Sequence, residues 1–400
     1  MNTNNPTCFF AISIKWLIIT FLLFYLIKSC FLHVSRYFDL WEATILATTK
    51  YMLLVFEFIF FSISLFYWKK YSKMLLLLLS LGLIGFLGEY IFSTLLLNNE
   101  YDLWKSITKG NLQLVAHMVF PFFFYISYLQ GNINIRITTQ IFKVLEWILF
   151  INAVLVLLGA IFSIGLFQSY GHTNRFGYTG MIGSRGVMSS LSMLVIVRGI
   201  FLNRGNYKII FIGMTLLLTG MKINYLFYIV LLGYLVFRSK HIIAIAGSLL
   251  MLLLSIVFID PLVRGFIRIF PFFEPVYKEA GLINVLTSYR YNNLIHTIFF
   301  ISEEGSLWNF FFGGVDISRY WIEIDYFDLF TVFGILGVGI YFYLCKTTLN
   351  RLIYWVPVIV LCTGGIFLNN QFFICLLLMW SIENTLMSNP LTKKPIIHRK

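Results

Sequence analysis

The chain has 400 residues, of which 59% are hydrophobic, 19% aromatic and only 12% charged, with a mean hydropathy of +0.84. A soluble domain is apolar over about half of its residues and charged over about a quarter, so this composition excludes one. The 30 Lys and Arg against 17 Asp and Glu leave a net charge of +13, but with no basic-aromatic RNA-binding motif beside it the excess reads as membrane topology, not nucleic-acid binding.

Apolar runs of roughly 17–25 residues that satisfy their own backbone hydrogen bonds in lipid read as helices. In chain order they fall at 10–31, 42–67, 74–97, 112–129, 145–167, 186–202, 208–220, 223–237, 242–260, 323–344, 352–368 and 371–387. The expected fold is all-α, a polytopic integral membrane protein of about twelve transmembrane helices. The pair around 218–224 is short enough to form one interrupted hairpin. The first run, "FFAISIKWLIITFLLFYLI", is followed by no small-residue cleavage site and is expected to remain as a span. Cys8, Cys30, Cys345, Cys362 and Cys375 lack paired spacing, so neither a disulfide framework nor a metal site is expected.

Basic residues are retained in short cytoplasmic loops. "KKYSK" at 69–73, Arg136 with Lys143, "NRGNYK" at 203–208, "RSKH" at 238–241, Lys346 with Arg351 and the tail "TKKPIIHRK" all fall on one side of the count. Both termini are then cytoplasmic. Four regions follow: N-terminal spans at 1–167, a catalytic-like region at 168–345, C-terminal spans at 346–387 and a cytoplasmic tail at 388–400. The catalytic-like region holds two outer loops, 168–186 and 260–322, the larger between spans nine and ten. The larger one opens with "PLVRGFIRIFPFF", where Arg264 and Arg268 share a helical face as in a helix lying on the membrane surface.

Near the outward span ends stand Arg175, Arg185, Lys222 and Arg290, which run against the retention of positive charge inside. A guanidinium holds phosphate through two parallel hydrogen bonds. The glycines of "RFGYTGMIGSRG" would let backbone N–H groups approach an anion. A single span-end arginine also snorkels to lipid headgroups, so the phosphate reading rests on the set. The stretch "YWIEIDYFDLFTVFGILGVG" at 320–339 then places Glu323, Asp325 and Asp328 at the mouth of the tenth run. A carboxylate at the edge of a partly dry site can serve as general base to a hydroxyl, and it can equally cap the helix. Two apart, Glu323 and Asp325 cannot face one substrate unless the chain is extended there. Within the spans, Lys50 and Glu57 lie seven apart on one face and could pair, while Glu89, His117 and Glu146 are isolated ionisable groups.

Taken in order, the outward segments resemble the O-antigen polymerase and O-antigen ligase superfamily of bacterial cell-envelope proteins. "NRFGYTG" followed by "GSRG" looks like the family's arginine-containing loop. "LTGMKINYLFYIVLLGYLVF" looks like the start of its conserved domain, with Met221 and Lys222 where the family usually has Ser-Arg. "SYRYNNLIHTIFF", running on to "WNFFFGGVD", looks like its loop arginine, helix and glycine pair, and "EIDYFDLFTVFGILGVG" looks like the following span, with Gly334 and Gly337. The likeness covers roughly 165–345, and its specificity lies in order and topology. Ligases carry a histidine where this chain has Glu323, so the acidic version resembles the polymerases better.

The resemblance implies a glycosyltransferase that moves a growing glycan from undecaprenyl pyrophosphate to a new lipid-linked repeat unit at the outer face of the inner membrane. Arg175, Arg185, Lys222 and Arg290 would hold the pyrophosphate, and Glu323 or Asp325 would take the hydroxyl proton. It implies the lipid-linked glycan, membrane lipids and a chain-length regulator as partners, and no nucleic acid, metal or other cofactor. An O-antigen ligase is the nearer alternative. A flippase of lipid-linked oligosaccharides is the second, although no internal repeat is visible and the polar groups gather at the outer face.

Overall fold

The structure, a computed structural model, describes residues 6–38, 40, 42–96, 101–131, 133–169, 176–202, 206–239, 247, 261, 264–265, 267–268, 274–303, 307–315 and 321–388. The helices are α1 (Pro6–Phe38), α2 (Glu42–Phe66), α3 (Trp68–Leu96), α4 (Tyr101–Gln130), α5 (Ile135–Phe162), α6 (Arg185–Phe201), α7 (Tyr207–Leu216) and α8 (Lys222–Ser239). After them come α9 (Glu274–Thr287), α10 (Arg290–Glu303), α11 (Leu307–Phe312), α12 (Asp325–Thr348), α13 (Leu352–Cys362) and α14 (Gln371–Ser388). Among the described residues the only extended pairing is an isolated bridge between Gln168 and Tyr178.

The protein is a helical membrane protein. Among the described residues 5 helices are long and apolar enough to cross a membrane: Ser13–Phe38, Thr44–Phe66, Trp68–Ile91, Ile135–Phe162 and Asp325–Thr348. Shorter apolar helices, Leu114–Gln130, Tyr207–Thr219, Leu352–Cys362 and Gln371–Met387, pack among them. Each predicted run has a helix except the ninth, 242–260, which apart from Gly247 lies outside the described residues, as does the tail from 389. Arg264 and Arg268 are helical and exposed, in keeping with a surface helix.

Burial sorts the helices into centre and periphery. The residues of α6 from Val187 to Gly199 are buried on every side, and so are those of α14 from Phe372 to Ser381. A helix apolar all round belongs at the middle of a bundle. By contrast α1, α2, α3 and α5 turn outward Leu23, Phe58, Leu83 and Ile151, a run of exposed apolar side chains that water would not tolerate and lipid does. Between α1, α2 and α4, Phe21, Phe60, Phe120 and Phe124 form an aromatic knot with ring centroids 5.4 to 5.8 Å apart.

Lipid offers no hydrophobic drive between helices, so polar ties carry much of their register. Arg198 of α6 makes a two-point ion pair with Glu383 of α14, Nε to Oε2 at 3.1 Å and Nη2 to Oε1 at 2.8 Å, and Thr139 of α5 donates to the same carboxylate at 2.6 Å. Glu57, read from the sequence as a partner for Lys50, instead meets His117 of α4 at 2.8 Å. Glu146 is likewise engaged, by the side-chain amide of Asn206.

Near the cavity described below, α12 is broken. Gly334 sits at φ 60 and ψ −173 within it, which frees backbone carbonyls upstream. Two of these, Thr331 and Val332, accept the N–H groups of Val315 (3.0 Å) and Gly314 (3.1 Å), the backbone satisfaction that a membrane interior demands. This docks α11 on α12 and α3 at backbone contact distance, since a Cβ on Gly314 (φ +87) would lie 2.0 Å from the Gly88 carbonyl. Gly314→Ala should therefore destabilise the fold by about 1–3 kcal/mol, whereas Gly339→Ala, whose Cβ would meet nothing within 4 Å, should change stability by less than about 1 kcal/mol. Thermal unfolding of the two purified variants in detergent checks this; equal melting temperatures would show that the docked backbone does not matter.

Candidate functional site

Helix ends converge at one end of the bundle on a cavity of about 750 Å³. Its walls are His33, Arg36 and Tyr37 at the end of α1, Gly165, Gln168 and Ser169 after α5, residues 183–186 at the start of α6 and residues 221–223 at the start of α8. Ser288 and Arg290 at the start of α10, Trp321 and Glu323 before α12, and residues 364–366 after α13 complete them. The ends of α1, α5 and α13 and the starts of α6, α8 and α12 thus meet at one end of the bundle.

Of the four cations expected from the sequence, Arg185, Lys222 and Arg290 line this cavity. Arg175 lies outside the described residues. Arg185 opens α6, behind the capping residue Ser184, whose Oγ accepts the Val187 N–H at 3.5 Å. The loop before it is held by Asn152, a buried side chain of α5. Its amide donates to the Thr179 carbonyl at 2.9 Å, and its oxygen accepts the N–H groups of Met181 (2.8 Å) and Ile182 (3.1 Å). Three backbone groups of an irregular segment are thereby satisfied from inside the bundle.

Lys222 donates from Nζ to the Val285 carbonyl and to Ser288 Oγ at 3.1 Å, which ties the start of α8 to the α9–α10 junction. There Ser288 and Tyr289 take left-handed φ angles of 56 and 67. Arg290 Nη2 donates to the Gly364 carbonyl at 3.3 Å and pairs with Glu323 Oε2 at 3.3 Å. Among the described residues its Nε is buried and without a hydrogen-bond partner.

The three carboxylates separate into different roles. Glu323 is the cavity residue, 57% exposed at the side chain, on a left-handed backbone with φ 61. The chain reaches the helix only at Asp325, so the constraint that would have opposed Glu323 and Asp325 on one helix does not apply. Asp325 is 1% exposed and lies outside the lining; its Oδ2 accepts the N–H groups of Phe367 (2.7 Å) and Leu368 (3.3 Å). Asp328 accepts the Ile322 N–H at 3.1 Å, steadying the residue before Glu323. Asp325 and Asp328 brace the chain on either side of a carboxylate that faces the opening.

Two cavity residues escape a sequence reading, His33 and Arg36. His33 Nε2 donates to the Leu166 carbonyl at 2.7 Å, and Gly183 is packed so closely on the ring that a Cβ there would meet Nδ1 at 2.2 Å. The available signal was Arg36 itself, a basic residue just after the first predicted span. The cavity therefore gathers Arg36, Arg185, Lys222 and Arg290 around Glu323. Such a lining favours an anion with several oxygens, and it sets a carboxylate beside that anion.

No protein-family model, curated protein or solved structure matches the chain.

The geometry predicts a split between neighbouring carboxylates. Asp325→Ala leaves two buried N–H groups unpaired and should cost about 1–3 kcal/mol for each, lowering both the melting temperature and the yield of monodisperse protein. Glu323→Ala, at an exposed side chain, should leave both unchanged. Melting curves of the two variants in detergent decide it, and an intact Asp325→Ala protein would remove the bracing role.

Proposed function

We propose that the protein is a polymerase of lipid-linked glycans, similar to the O-antigen polymerases, working where one end of the bundle meets the outer surface of a bacterial inner membrane. The observation that carries this reading is the joining of Arg185, Lys222, Arg290 and Glu323 in one cavity at the helix ends. These residues come from four segments that stand 33 to 68 positions apart in the chain. The proposed topology has twelve spans with both termini cytoplasmic, which places the cavity on the outer side.

In this reading the hydroxyl of the acceptor sugar attacks the anomeric carbon of the glycan on polyprenyl pyrophosphate. The new C–O bond forms as the bond to the pyrophosphate oxygen breaks. Glu323 takes the hydroxyl proton, and Arg290, Lys222, Arg185 and Arg36 stabilise the charge that develops on the departing pyrophosphate. The Arg290–Glu323 pair is well placed for the exchange. When phosphate oxygens engage the guanidinium, they compete with the carboxylate for it and free Glu323 to turn toward the hydroxyl.

One observation favours a second reading. A histidine, His33, lines the same cavity, and the related ligases use one; transfer of finished glycan to lipid A core is therefore the alternative. The test is complementation of a strain lacking the protein, read as the ladder of glycan chain lengths. Glu323→Gln, Arg290→Ala and Arg36→Ala, each at normal membrane level, should leave lipid carrying single repeat units, a rate loss of about a hundredfold or more for Glu323→Gln. Arg290→Lys should recover only part of the ladder, because lysine lacks the planar fork. Long chains accumulating on the polyprenyl carrier would assign the ligase reaction instead, and a wild-type ladder from both Glu323→Gln and Arg290→Ala would end the proposal.

A further inference from the structure

At the opposite end of the bundle α5 and α7 enclose a second cavity of about 360 Å³, lined by Lys143, Glu146, Trp147, Asn206, Lys208 and Ile209. It lies roughly 25 Å along α5 from the first cavity, at the rise of an α-helix. The site is built, not incidental. The Lys208 ammonium stands 3.4 Å from the centre of the Trp147 ring, a cation–π contact from α7 to α5. Asn206 connects the two helices: its amide donates to Glu146 Oε1, and its oxygen accepts the Lys208 backbone N–H at 3.2 Å. Lys143, Lys208 and Glu146 thus line one cavity.

The surroundings identify the source of a ligand. Beside the cavity the outer faces of α5 and α7 carry Val144, Ile151, Ile210 and Met214, all more than half exposed. Trp147 of the lining and Tyr207 next to it are exposed too, as aromatic residues are at the level of lipid headgroups. A charged lining, an aromatic pair and exposed apolar faces together match the polarity of one phospholipid.

We infer that this cavity binds the headgroup of a phospholipid whose phosphodiester carries a primary ammonium, a phosphoethanolamine lipid, with its acyl chains against the exposed apolar side chains of α5 and α7. The phosphate sits between Lys143 and Lys208, and the headgroup ammonium donates to Glu146. A phosphoglycerol headgroup gives Glu146 no cation, and a phosphocholine headgroup has no N–H to donate. The assignment is independent of the reaction at the other end.

The test uses the purified, delipidated full chain in detergent, with phosphatidylethanolamine, phosphatidylglycerol and phosphatidylcholine of identical acyl chains added in turn and retention read by native mass spectrometry. Phosphatidylethanolamine should be held best. Lys143→Gln with Lys208→Gln should weaken it roughly a hundredfold, about tenfold for each of two charge-assisted contacts, and Glu146→Gln should abolish its advantage over phosphatidylcholine. Lys143 is exposed, so Lys143→Gln alone carries the test should the double variant not fold. Equal retention of the three lipids, phosphatidylglycerol held tightest, or variants that keep the wild-type preference would each overturn the inference. Soluble glycerophosphoethanolamine binding as tightly as the lipid would overturn its lipid part.

Discussion

A carboxylate buried in a membrane protein is costly unless its oxygens find donors, and Asp325 finds them in the backbone of the turn between α13 and α14. That contact locks the first turn of α12 to residues 363–370, and the geometry of the cavity follows from it. Gly365, at φ +62, then lies against the Glu323 backbone so closely that a Cβ would be 2.7 Å from the Glu323 carbonyl oxygen. The neighbouring Gly364 carbonyl holds Arg290. One buried acid thus sets the position of both members of the exposed ion pair. The same turn reaches further, because Asn370 donates to Ser190 of α6 and Gln371 donates to Glu57 of α2 at 3.5 Å.

Strain is concentrated where this turn meets the long segment. Ser288, Tyr289 and Glu323 take left-handed φ angles of 56, 67 and 61 without being glycines. Each costs on the order of 1–3 kcal/mol and persists only where its surroundings over-determine it. Here they do: Lys222 grips Ser288, Asp328 fixes Ile322, and Gly365 confines Glu323. The arrangement holds a carboxylate and a guanidinium facing the same opening.

Lipid made most of the helices legible. A segment that must satisfy its own backbone over the thickness of a bilayer declares itself by length and apolarity, and the predicted runs within the described residues fall on helices. Arg185, Lys222, Arg290 and Glu323 stand out in the sequence as charges near the ends of predicted spans, and the structure brings them to one cavity. The division of labour between Glu323 and Asp325 was not, because it depends on where α12 begins, and one left-handed residue decides that. Residues 364–366 carry no charge and read as part of a span, although they form a wall of the cavity. Asn152 is equally silent in sequence, since a lone amide within an apolar run does not reveal the loop it will hold.

The buried ion pair far from the cavity belongs to the same constraint. α6 and α14 are both buried on every side, and apolar faces of two such helices could slide or rotate past one another with little change in contact energy. Asn370 with Ser190 fixes them near the cavity, and Arg198 with Glu383 fixes them near the other end. Two polar ties on one pair of helices define both register and rotation, which one tie cannot do. Breaking the distant pair would leave a charge buried without its partner, at about 3–5 kcal/mol, and would free α14 to shift the turn on which Asp325 closes. The distance between Arg198 and the cavity is therefore no measure of its importance, because the position of Glu323 is inherited from the register of α14 on α6.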